Sequence, residues 1–265
     1  MTYLNENLIF ADLSKELQSR SEIIILPEVD STHSFLDQLA IKDWSKIVIC
    51  TTENQLAGKG RLDRVWQSSS GQDICLSLAL FLLVKREQLA GLSLVIGIAL
   101  CRALKVFDIS EKILVKWPND LMYNDQKLAG ILVQHQEVAP NLQKVIVSVG
   151  INVNSKRDGV VSLKQILGRD SNRNELIAKF TNHIYRAVFD FASGGLGIFQ
   201  KEWQGLDYLY GKKISIAQGD TIHTGTAIGL DLQGKLVIEN DKGEQQAFSS
   251  PDSLLVKRQI VPPHF

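Results

Sequence analysis

The apolar residues of this chain fall mostly into short β-branched runs, and only two longer stretches repeat at helical spacing. The short runs predict buried strands at residues 21–26, 47–50, 74–84, 112–116, 128–134 and 145–149. Residues 89–106 and 174–191 carry apolar side chains three and four positions apart, which predicts two amphipathic helices. This mixture predicts an α+β fold, in which helices flank a mixed β-sheet.

Turn and cap residues predict where several of these elements begin and end. Pro27 has no N–H to donate and predicts the end of the first strand. Asp30, Ser31 and Thr32 each offer a favourable N-cap for the short helical segment that follows. Asn124 and Asp125 give a turn signal between two of the predicted strands. The glycines of segment 193–197 follow a predicted helix, so they indicate a C-cap and a turn rather than a phosphate loop.

The composition changes near Tyr210, where glycines begin to recur between short alternating runs. That pattern predicts a small all-β unit that closes into a barrel. We therefore expect two domains, which comprise residues 1–208 and residues 209–265.

Charge, hydropathy and cysteines restrict the class of protein. The chain has 29 Lys and Arg residues and 29 Asp and Glu residues, and this neutral balance favours neither nucleic acid nor an acidic membrane as a partner. The apolar stretches 74–84 and 89–104 are expected to be too short or too polar to span a bilayer. Cys50, Cys75 and Cys101 lie far apart in apolar surroundings, as the reduced core cysteines of a cytoplasmic protein would.

A polar stretch between two predicted strands, residues 51–71, is the first candidate functional segment. A loop of that length without secondary structure is usually functional or disordered. Gly58 and Gly60 are expected to permit positive φ, so that backbone N–H groups can point at an anion. Three cations fall within six residues: Lys59, Arg61 and Arg64. The segment suits a phosphate or a negatively charged transition state, although a solvated basic loop would have the same composition.

The second candidate segment is KWPND, residues 116–120, which is followed by Lys127. Pro118 fixes its own φ and restricts the residue before it, so it forms a rigid corner that presents Trp117 and Asn119. Lys127 begins a predicted strand with apolar neighbours, where an ammonium is costly unless it faces an anion. A lysine whose stem lies along apolar surface is the alternative interpretation.

Four segments, in order along the chain, resemble the motifs of biotin protein ligases. Residues 55–66, QLAGKGRLDRVW, resemble that family's QxxGRGRxGRxW, and residues 116–132, KWPNDLMYNDQKLAGIL, resemble its KWPNDxxxxxxKxxGIL. Residues 30–33, DSTH, are similar to its DSTN, and residues 150–152 match its GIN. The resemblance covers nearly the whole chain. It implies a core like that of the biotin and lipoate ligases and class II synthetases, followed by an SH3-like β-barrel.

The resemblance also implies an activity. Members of the family use ATP with Mg2+ to convert biotin to biotinyl-5′-AMP, and then transfer the biotin to a lysine of a biotin carboxyl carrier protein. The expected partner is the carrier domain of acetyl-CoA carboxylase, with no nucleic acid and no membrane. About 20 residues precede the first predicted strand, so a form without an N-terminal DNA-binding domain is expected. The expected location is the cytoplasm, and the resemblance is compatible with a monomer or a homodimer.

The matched motif positions imply the site residues. The implied catalytic residues are Lys127, Arg61 and Asp120. Lys127 would neutralise negative charge on the acyl oxygen and the bridging phosphate, Arg61 would hold the adenylate, and Asp120 would act as a base for the carrier lysine. The residues implied to bind biotin or the adenylate are Ser31, Thr32, His33, Gln55, Gly58, Lys59, Gly60, Arg61, Trp66, Asn119, Lys127, Gly130 and Asn152. No metal-ligating residues are expected, because the histidines lack ligand spacing.

Some positions depart from the family pattern. Lys59 stands in place of Arg, which keeps the charge but loses the two-pronged donor geometry. Asp63 stands in place of Gly, where it is expected to limit positive φ and to bring a carboxylate into the basic loop. His33 stands in place of Asn, within the segment that the resemblance assigns to the ureido ring of biotin. The segment SSPDSLL, residues 249–255, lacks the glycine-bearing turn that the family pattern leads us to expect.

Three other functions are compatible with parts of this pattern. A lipoate–protein ligase shares the core fold and the adenylating chemistry, but the tryptophan-containing basic loop and KWPND favour biotin. A biotin-responsive repressor would need a DNA-binding module with a basic face. A catalytically inactive vitamin-binding protein would have lost Lys127 or Arg61, and both are present.

Overall fold

The computed structural model of the protein describes residues 3–107, 109, 112–249 and 253–256. Within these ranges the helices are α1 (Glu6–Ala11), α2 (Lys15–Arg20), α3 (Thr32–Gln38), α4 (Leu92–Leu104), α5 (Leu163–Leu167), α6 (Arg173–Gly194) and α7 (Gln200–Leu206). The strands are β1 (Ser21–Val29), β2 (Ile47–Gln55), β3 (Gly58–Lys59), β4 (Val65–Trp66), β5 (Ile74–Leu83), β6 (Ile113–Lys116), β7 (Asp120–Tyr123), β8 (Gln126–Ala139), β9 (Leu142–Ile151), β10 (Lys213–Gln218), β11 (Thr221–Leu230), β12 (Leu236–Glu239), β13 (Gln245–Phe248) and β14 (Ser253–Val256).

Seven of these strands form one mixed sheet, in the order β1-β2-β5-β9-β8-β7-β6. β1 and β2 are parallel, and the other neighbours are antiparallel. Because side chains alternate between the faces of a strand, β2 turns Val48 and Cys50 toward α3, and Ile47 and Ile49 toward the layer that contains α4 and α6. The sheet therefore lies between one short helix and two long ones, and the predicted α+β fold is confirmed.

Two boundaries predicted from the sequence are wrong. β1 continues through Pro27 to Val29, because β1 is an edge strand and an edge position tolerates a residue without an N–H. The polar stretch 51–71 is not a loop without secondary structure, since β2 extends to Gln55 and a short hairpin follows. In that hairpin, which β3 and β4 form, Gly58 pairs with Trp66.

The hairpin of β7 and β8 has the turn that the sequence predicts. Asn124 and Asp125 have φ values of 45° and 62°, as a two-residue turn requires when it matches the twist of its strands. This connection places Asp120, the first residue of β7, near Lys127, the second residue of β8. Two of the three expected catalytic residues are thus brought together by one tight turn.

The expectation that the apolar stretch around α4 is too short to span a bilayer is wrong on length. With 3-10 turns on both sides, the helical segment Arg86–Phe107 is 22 residues long and apolar enough to cross a membrane by these two criteria. Its most apolar window is 67% buried within the fold. Packing of α4 against α6 and the sheet accounts for its composition, since a core helix is apolar on most sides.

The remaining strands form a second sheet, which is antiparallel and has the order β13-β12-β11-β10-β14. β13 and β14 are its edges, so the pairings among the described residues do not close a barrel, and residues 250–252 of the SSPDSLL segment lie outside those ranges. The second sheet shares one continuous hydrophobic core with the first. A buried hydrogen bond of 3.0 Å from Trp117 Nε1 to the Gly234 carbonyl oxygen joins them. The boundary between residues 208 and 209 stays a prediction.

Candidate active site

A cleft lies beside the N-terminus of α3, between the β3–β4 hairpin and the turn that joins β6 to β7. Most of the site residues expected from the sequence line it: Ser31, Thr32, His33, Gln55, Lys59, Gly60, Arg61, Trp66, Asn119, Asp120, Lys127 and Gly130. Gly58 and Asn152 do not line this cleft. The fold thus brings three of the four sequence motifs to one surface with most of their predicted residues.

Cations from three segments surround a carboxylate in this cleft. Asp120 Oδ1 accepts from Lys127 Nζ at 2.7 Å. Burial lowers the pKa of Arg61 and the pKa of Lys116, while the Asp120 carboxylate opposes the shift in both. Repulsion from Lys127 lowers the pKa of Lys116 further. Because three cations share this carboxylate, the cleft keeps a positive potential that suits an anionic ligand.

A change of register positions the Lys127 side chain. Leu121 pairs with Ala129, but Met122 pairs with Lys127, so the alignment of β7 and β8 shifts by one residue between these pairs. Such a bulge breaks the regular alternation of a strand and re-aims a side chain. Lys127 Nζ lies next to Asp120 and 5.5 Å from the centre of the Trp66 ring.

Two asparagines of the matched motifs hold backbone groups with their side-chain amides. Asn152 is buried, and its Nδ2 donates to the Lys127 carbonyl oxygen at 3.2 Å. Arg157 in turn donates to Asn152 Oδ1. Asn119 Nδ2 donates to the Ile131 carbonyl oxygen at 2.8 Å. Asn152 therefore lies behind Lys127 and outside the lining of the cleft, and its assignment to the ligand stays a prediction.

Lack of space explains the motif glycines beside Trp66. A Cβ on Gly58 would lie 2.4 Å from Gln55 Nε2 and 2.4 Å from the Trp66 carbonyl oxygen. A Cβ on Gly150 would lie 2.2 Å from the Trp66 ring, and one on Gly130 would lie 3.1 Å from it. Any larger residue at Gly58 or Gly150 would displace the tryptophan that forms one wall of the cleft.

Positive φ values in the basic loop occur at residues other than the expected ones. Gly58 is not among the glycines with positive φ, and Gly60 has a φ of −115°. The left-handed residues are Leu62, with a φ of 54°, and Asp63, with a φ of 56°. The expectation that Asp63 would limit positive φ is wrong, since aspartate is one of the residues that tolerate this conformation best.

The first turn of α3 forms a polar floor, which we define as Ser31, Thr32 and His33. Ser31 is the N-cap, and its hydroxyl accepts from the Ser34 N–H at 3.4 Å. The Thr32 N–H donates to Gln55 Oε1 at 3.0 Å, which links α3 to the end of β2. Each of the three residues of the polar floor is at most 3% exposed. Their polar atoms are therefore shielded from bulk solvent, and those of Thr32 and His33 bond to side chains of the neighbouring strands.

Lys144 stabilises the opposite end of α3. Its ammonium donates to the carbonyl oxygens of Leu36, Asp37 and Leu39 at 2.8, 3.1 and 3.2 Å. These groups have no partner within the helix, and a positive charge there also interacts favourably with the helix dipole. Although burial lowers the pKa of Lys144, Asp37 opposes this shift. β9 thus holds α3, and with it the polar floor, in place.

Lys144→Met should lower the free energy of unfolding by about 1–3 kcal/mol, because buried carbonyl oxygens lose their donor. Urea unfolding followed by circular dichroism measures the change. Lys164→Met is the matched control, since Lys164 forms a solvent-exposed ion pair with Asp170 and such a pair contributes about 1 kcal/mol or less. Equal losses in the two variants would contradict a special role for Lys144.

Among the lining residues that sequence reasoning missed, three carry a charge or a hydroxyl group. Lys116 begins KWPND, so the motif contained it without assigning it a role. Arg64 belonged to the basic cluster but was left out of the site. Ser148 had only a weak signal, which was a polar residue within an apolar run that becomes β9.

Comparisons with known proteins agree on one family. The model of the biotin/lipoate A/B protein ligase family matches residues 25–152, and that of the biotin protein ligase C-terminal domain matches residues 210–252. The bifunctional ligase/repressor BirA of Escherichia coli (strain K12) is 33% identical over 226 residues, which cover 83% of this chain and 70% of that protein. The biotin–[acetyl-CoA-carboxylase] ligase of Paracoccus denitrificans is 26% identical over 233 residues, which cover 83% of this chain and 95% of that protein.

A solved structure gives the same result. The biotin protein ligase from Aquifex aeolicus, in complex with biotin and ATP, has a TM-score of 0.74 and 27% sequence identity, and the match covers 89% of this chain and 99% of that one. Together with the fold and the cleft, these matches define the class of this protein as a ligase. The chain belongs to the biotin/lipoate A/B protein ligase family, and the resemblance to biotin protein ligases that its motifs indicate is confirmed.

Proposed function

We propose that this protein activates biotin with ATP and Mg2+ to biotinyl-5′-AMP, and then transfers the biotin to a lysine of the biotin carboxyl carrier domain of acetyl-CoA carboxylase. The ion pair of Lys127 and Asp120 carries the proposal, because it lies in one cleft with Arg61, Lys116 and the polar floor. Two relatives support it. The Paracoccus protein is named for ligation to acetyl-CoA carboxylase, and the Aquifex structure contains biotin and ATP.

The first step brings two anions together. An oxygen of the biotin carboxylate bonds to the α-phosphorus of ATP, and the bond from that phosphorus to the bridging oxygen breaks, so that pyrophosphate leaves. Lys127, Lys116 and Arg61 offset the repulsion and stabilise the negative charge of the transition state. The Lys127 carbonyl oxygen accepts from Asn152 Nδ2 and from the Val161 N–H, and its ammonium pairs with Asp120 in the cleft.

Magnesium would enter the cleft bound to ATP. In nucleotide sites Mg2+ is usually bound by one or two carboxylates and by substrate phosphates. Across the described ranges, no group of three His, Cys, Asp or Glu side chains could hold a metal. Asp120 is the carboxylate that lines the cleft, and it is paired with Lys127. Magnesium is therefore part of the substrate, and the phosphates would supply most of its ligands.

The second step is acyl transfer to an amine. The nitrogen of the carrier lysine bonds to the acyl carbon of the adenylate, AMP leaves, and the nitrogen loses a proton. Asp120 can accept this proton while Lys127 stabilises the departing phosphate. The β3–β4 hairpin and the turn Arg61–Asp63 border the cleft, where they would limit the access of water to the mixed anhydride.

Mass spectrometry tests both steps. The protein is incubated with MgATP and either biotin or lipoate, and then with the carrier domain. We expect biotinyl-AMP first, and then a carrier that has gained one biotin. Lipoyl-AMP without biotinyl-AMP would identify a lipoate–protein ligase instead, and the absence of both adenylates would contradict an activating enzyme.

A cytoplasmic location is part of the same proposal. Cys50, Cys75 and Cys101 are free and buried. Burial raises the pKa of Cys50 and of Cys101 to about 12, and that of Cys75 to about 11. Buried thiols that stay protonated and unpaired are typical of proteins in a reducing compartment. A monomer and a homodimer are both compatible with this function.

Asp63→Gly should slow the release of biotinyl-AMP by about two- to fivefold, because it removes an exposed carboxylate from a basic loop. Asp63→Asn is the matched control, since Asn also tolerates positive φ but carries no charge. We expect the same release rate in both variants, measured by chasing labelled adenylate with unlabelled biotin and ATP. Slower release in the Gly variant alone would assign the effect to the backbone, and unchanged release in both would contradict a role for the charge.

A further inference from the structure

His33 departs from the family motif, and it can bind a proton where asparagine cannot. The residue is 3% exposed, and both of its ring nitrogens have hydrogen-bond partners. Nδ1 lies 2.8 Å from Ser148 Oγ, and Nε2 lies 2.8 Å from Gln134 Oε1. An imidazole can gain a second proton near neutral pH. The polar floor therefore contains a group whose charge can change.

Hydroxyl groups connect His33 to the surface that faces the ligand. From Ser148 Oγ, two steps of 2.8 Å lead to Ser77 Oγ and then to Thr32 Oγ1. Thr32 lines the cleft and also contacts Gln55. Because each hydroxyl has one hydrogen to donate, a donation from Ser148 to His33 requires Ser77 to donate to Ser148 and Thr32 to donate to Ser77.

Asp37 determines which nitrogen of His33 can change its proton. Gln134 Nε2 donates to Asp37 Oδ1 at 2.8 Å, since a carboxylate only accepts. The amide oxygen of Gln134 therefore faces His33, and Nε2 of the imidazole carries a hydrogen in both charge states. Only Nδ1 gains or loses a proton, and Nδ1 is the nitrogen that contacts Ser148.

The two charge states of His33 favour opposite donor directions in the hydrogen bonds that join Ser148, Ser77 and Thr32. When His33 is neutral, Nδ1 accepts from Ser148, Ser148 accepts from Ser77, and Ser77 accepts from Thr32, whose oxygen then offers lone pairs to the cleft. When His33 is charged, Nδ1 donates to Ser148, and the freed Ser148 hydrogen finds a partner only if Ser148 donates to Ser77 and Ser77 donates to Thr32, which reverses these bonds. The Thr32 hydroxyl then donates to Gln55 Oε1, which lies 3.3 Å away, or to a ligand.

The surroundings of His33 favour the neutral state. Burial lowers its pKa, and Lys59 on β3 lowers it further, whereas the hydrogen bond to Gln134 and the charge of Asp37 on α3 raise it. Lys144 from β9 contacts the carbonyl oxygen of Asp37, where its charge opposes that carboxylate. The net shift is downward. These surroundings therefore favour the neutral imidazole, and acid would protonate it.

We propose that His33 is a positioning residue, which sets the proton order of the Ser148–Ser77–Thr32 chain so that Thr32 accepts from a ureido N–H of biotin, and that acid reverses this order. The inference rests on the proposed function, because biotin is taken as the ligand. A ureido N–H that meets a donor is left without a partner, and such buried groups are costly. Biotin binding should therefore weaken as His33 gains its proton.

Isothermal titration calorimetry of biotin binding between pH 5.5 and 8.0 tests the proposal. The biotin carboxylate stays ionised throughout, since the pKa of such groups is about 4. For the wild type, Kd should be constant near pH 8 and should rise toward about tenfold per pH unit below the pKa of His33. In His33→Asn the ratio of Kd at pH 5.5 to Kd at pH 8.0 should stay within about twofold, because no proton can bind there.

Variants of Ser148 distinguish an effect transmitted through the hydroxyl groups of Ser148, Ser77 and Thr32 from a general effect of the charge on His33. Ser148→Ala retains the imidazole but interrupts the chain, so its Kd ratio should also fall to near one. Ser148→Thr restores a hydroxyl and should recover the wild-type pH dependence. A purely structural role for Ser148 would change the absolute Kd without removing its dependence on pH.

A biotin analogue in which oxygen replaces one ureido N–H gives a second readout. At pH 8 the wild type should reject it by about tenfold or more, because two acceptors then face each other. In the wild type this discrimination should decline at pH 5.5, whereas in His33→Asn it should be the same at both pH values. If the wild type and His33→Asn show equal pH dependence, this inference is wrong, while the proposed function is unaffected. A wild type that binds no biotin at pH 8 would overturn the proposed function as well.

Discussion

Lys127→Ala should slow the formation of biotinyl-AMP by about 10²–10³-fold, the loss typical when one group that stabilises transition-state charge is removed. The ammonium of Lys127 lies in the cleft next to Asp120, and its backbone is held by Asn152 and Val161. Lys116 and Arg61 also line the cleft, but it is Lys127 that forms the ion pair with Asp120. Pyrophosphate release in a single turnover, with saturating biotin and MgATP, measures the rate.

Two further variants identify the cause of the loss. Lys127→Ala also leaves the Asp120 carboxylate without its partner, which could repel the phosphates. If that repulsion were the cause, adding Asp120→Asn would restore the rate, and we expect no such recovery. Lys164→Ala, which removes an exposed lysine that does not line the cleft, should keep the wild-type rate. A rate near that of the wild type in Lys127→Ala would reject the assignment.

Arg61→Ala should release biotinyl-AMP about 10–100 times faster, because a hydrogen bond to a charged group contributes about 1.5–3 kcal/mol. Arg61 begins the turn at the mouth of the cleft, and burial lowers its pKa. Without the guanidinium, the adenylate has one fewer cation to hold it. Released adenylate should then biotinylate the lysines of a bystander protein, which mass spectrometry detects.

The matched variant for this prediction is Arg61→Lys. It keeps the charge but loses the planar pair of donors, so its release rate should lie between those of the wild type and Arg61→Ala. Biotinylation of the bystander should follow the same order in the three proteins. Identical release rates in all three would show that Arg61 does not hold the adenylate.

Local patterns in the sequence were sufficient to predict the two long helices, most strands of the first sheet and most of the cleft residues, but not α1, α2, α5, α7 or β7. The turn at Asn124 and Asp125, a helix N-cap within residues 30–32 and the cations of the basic loop are local features, and each lies where it was expected. The strand end at Pro27 was misplaced because the tolerance for proline depends on being at the edge of the sheet. That position is a property of the fold and not of the local sequence.

The contacts behind the cleft could not be predicted, because they join distant residues. Ser77 and Ser148 meet across two paired strands, and His33 reaches Ser148 from a separate helix. Asn152 was assigned to the ligand because its motif is near the site, although its amide binds the Lys127 backbone. A motif shows which residues belong to a site, but their individual contacts depend on how the strands are paired.

The hydrogen bond between Trp117 and Gly234 affects whether the C-terminal sheet can be removed by truncation. It connects the turn that carries KWPND to the second sheet, and apolar residues such as Ile214 and Leu236 belong to the same core as α4. A chain that ended at residue 208 would expose this core and would leave a buried indole N–H without an acceptor. We therefore expect the C-terminal sheet to be required for the stability of the first sheet. Exchange of this sheet between relatives would need matching changes around Trp117.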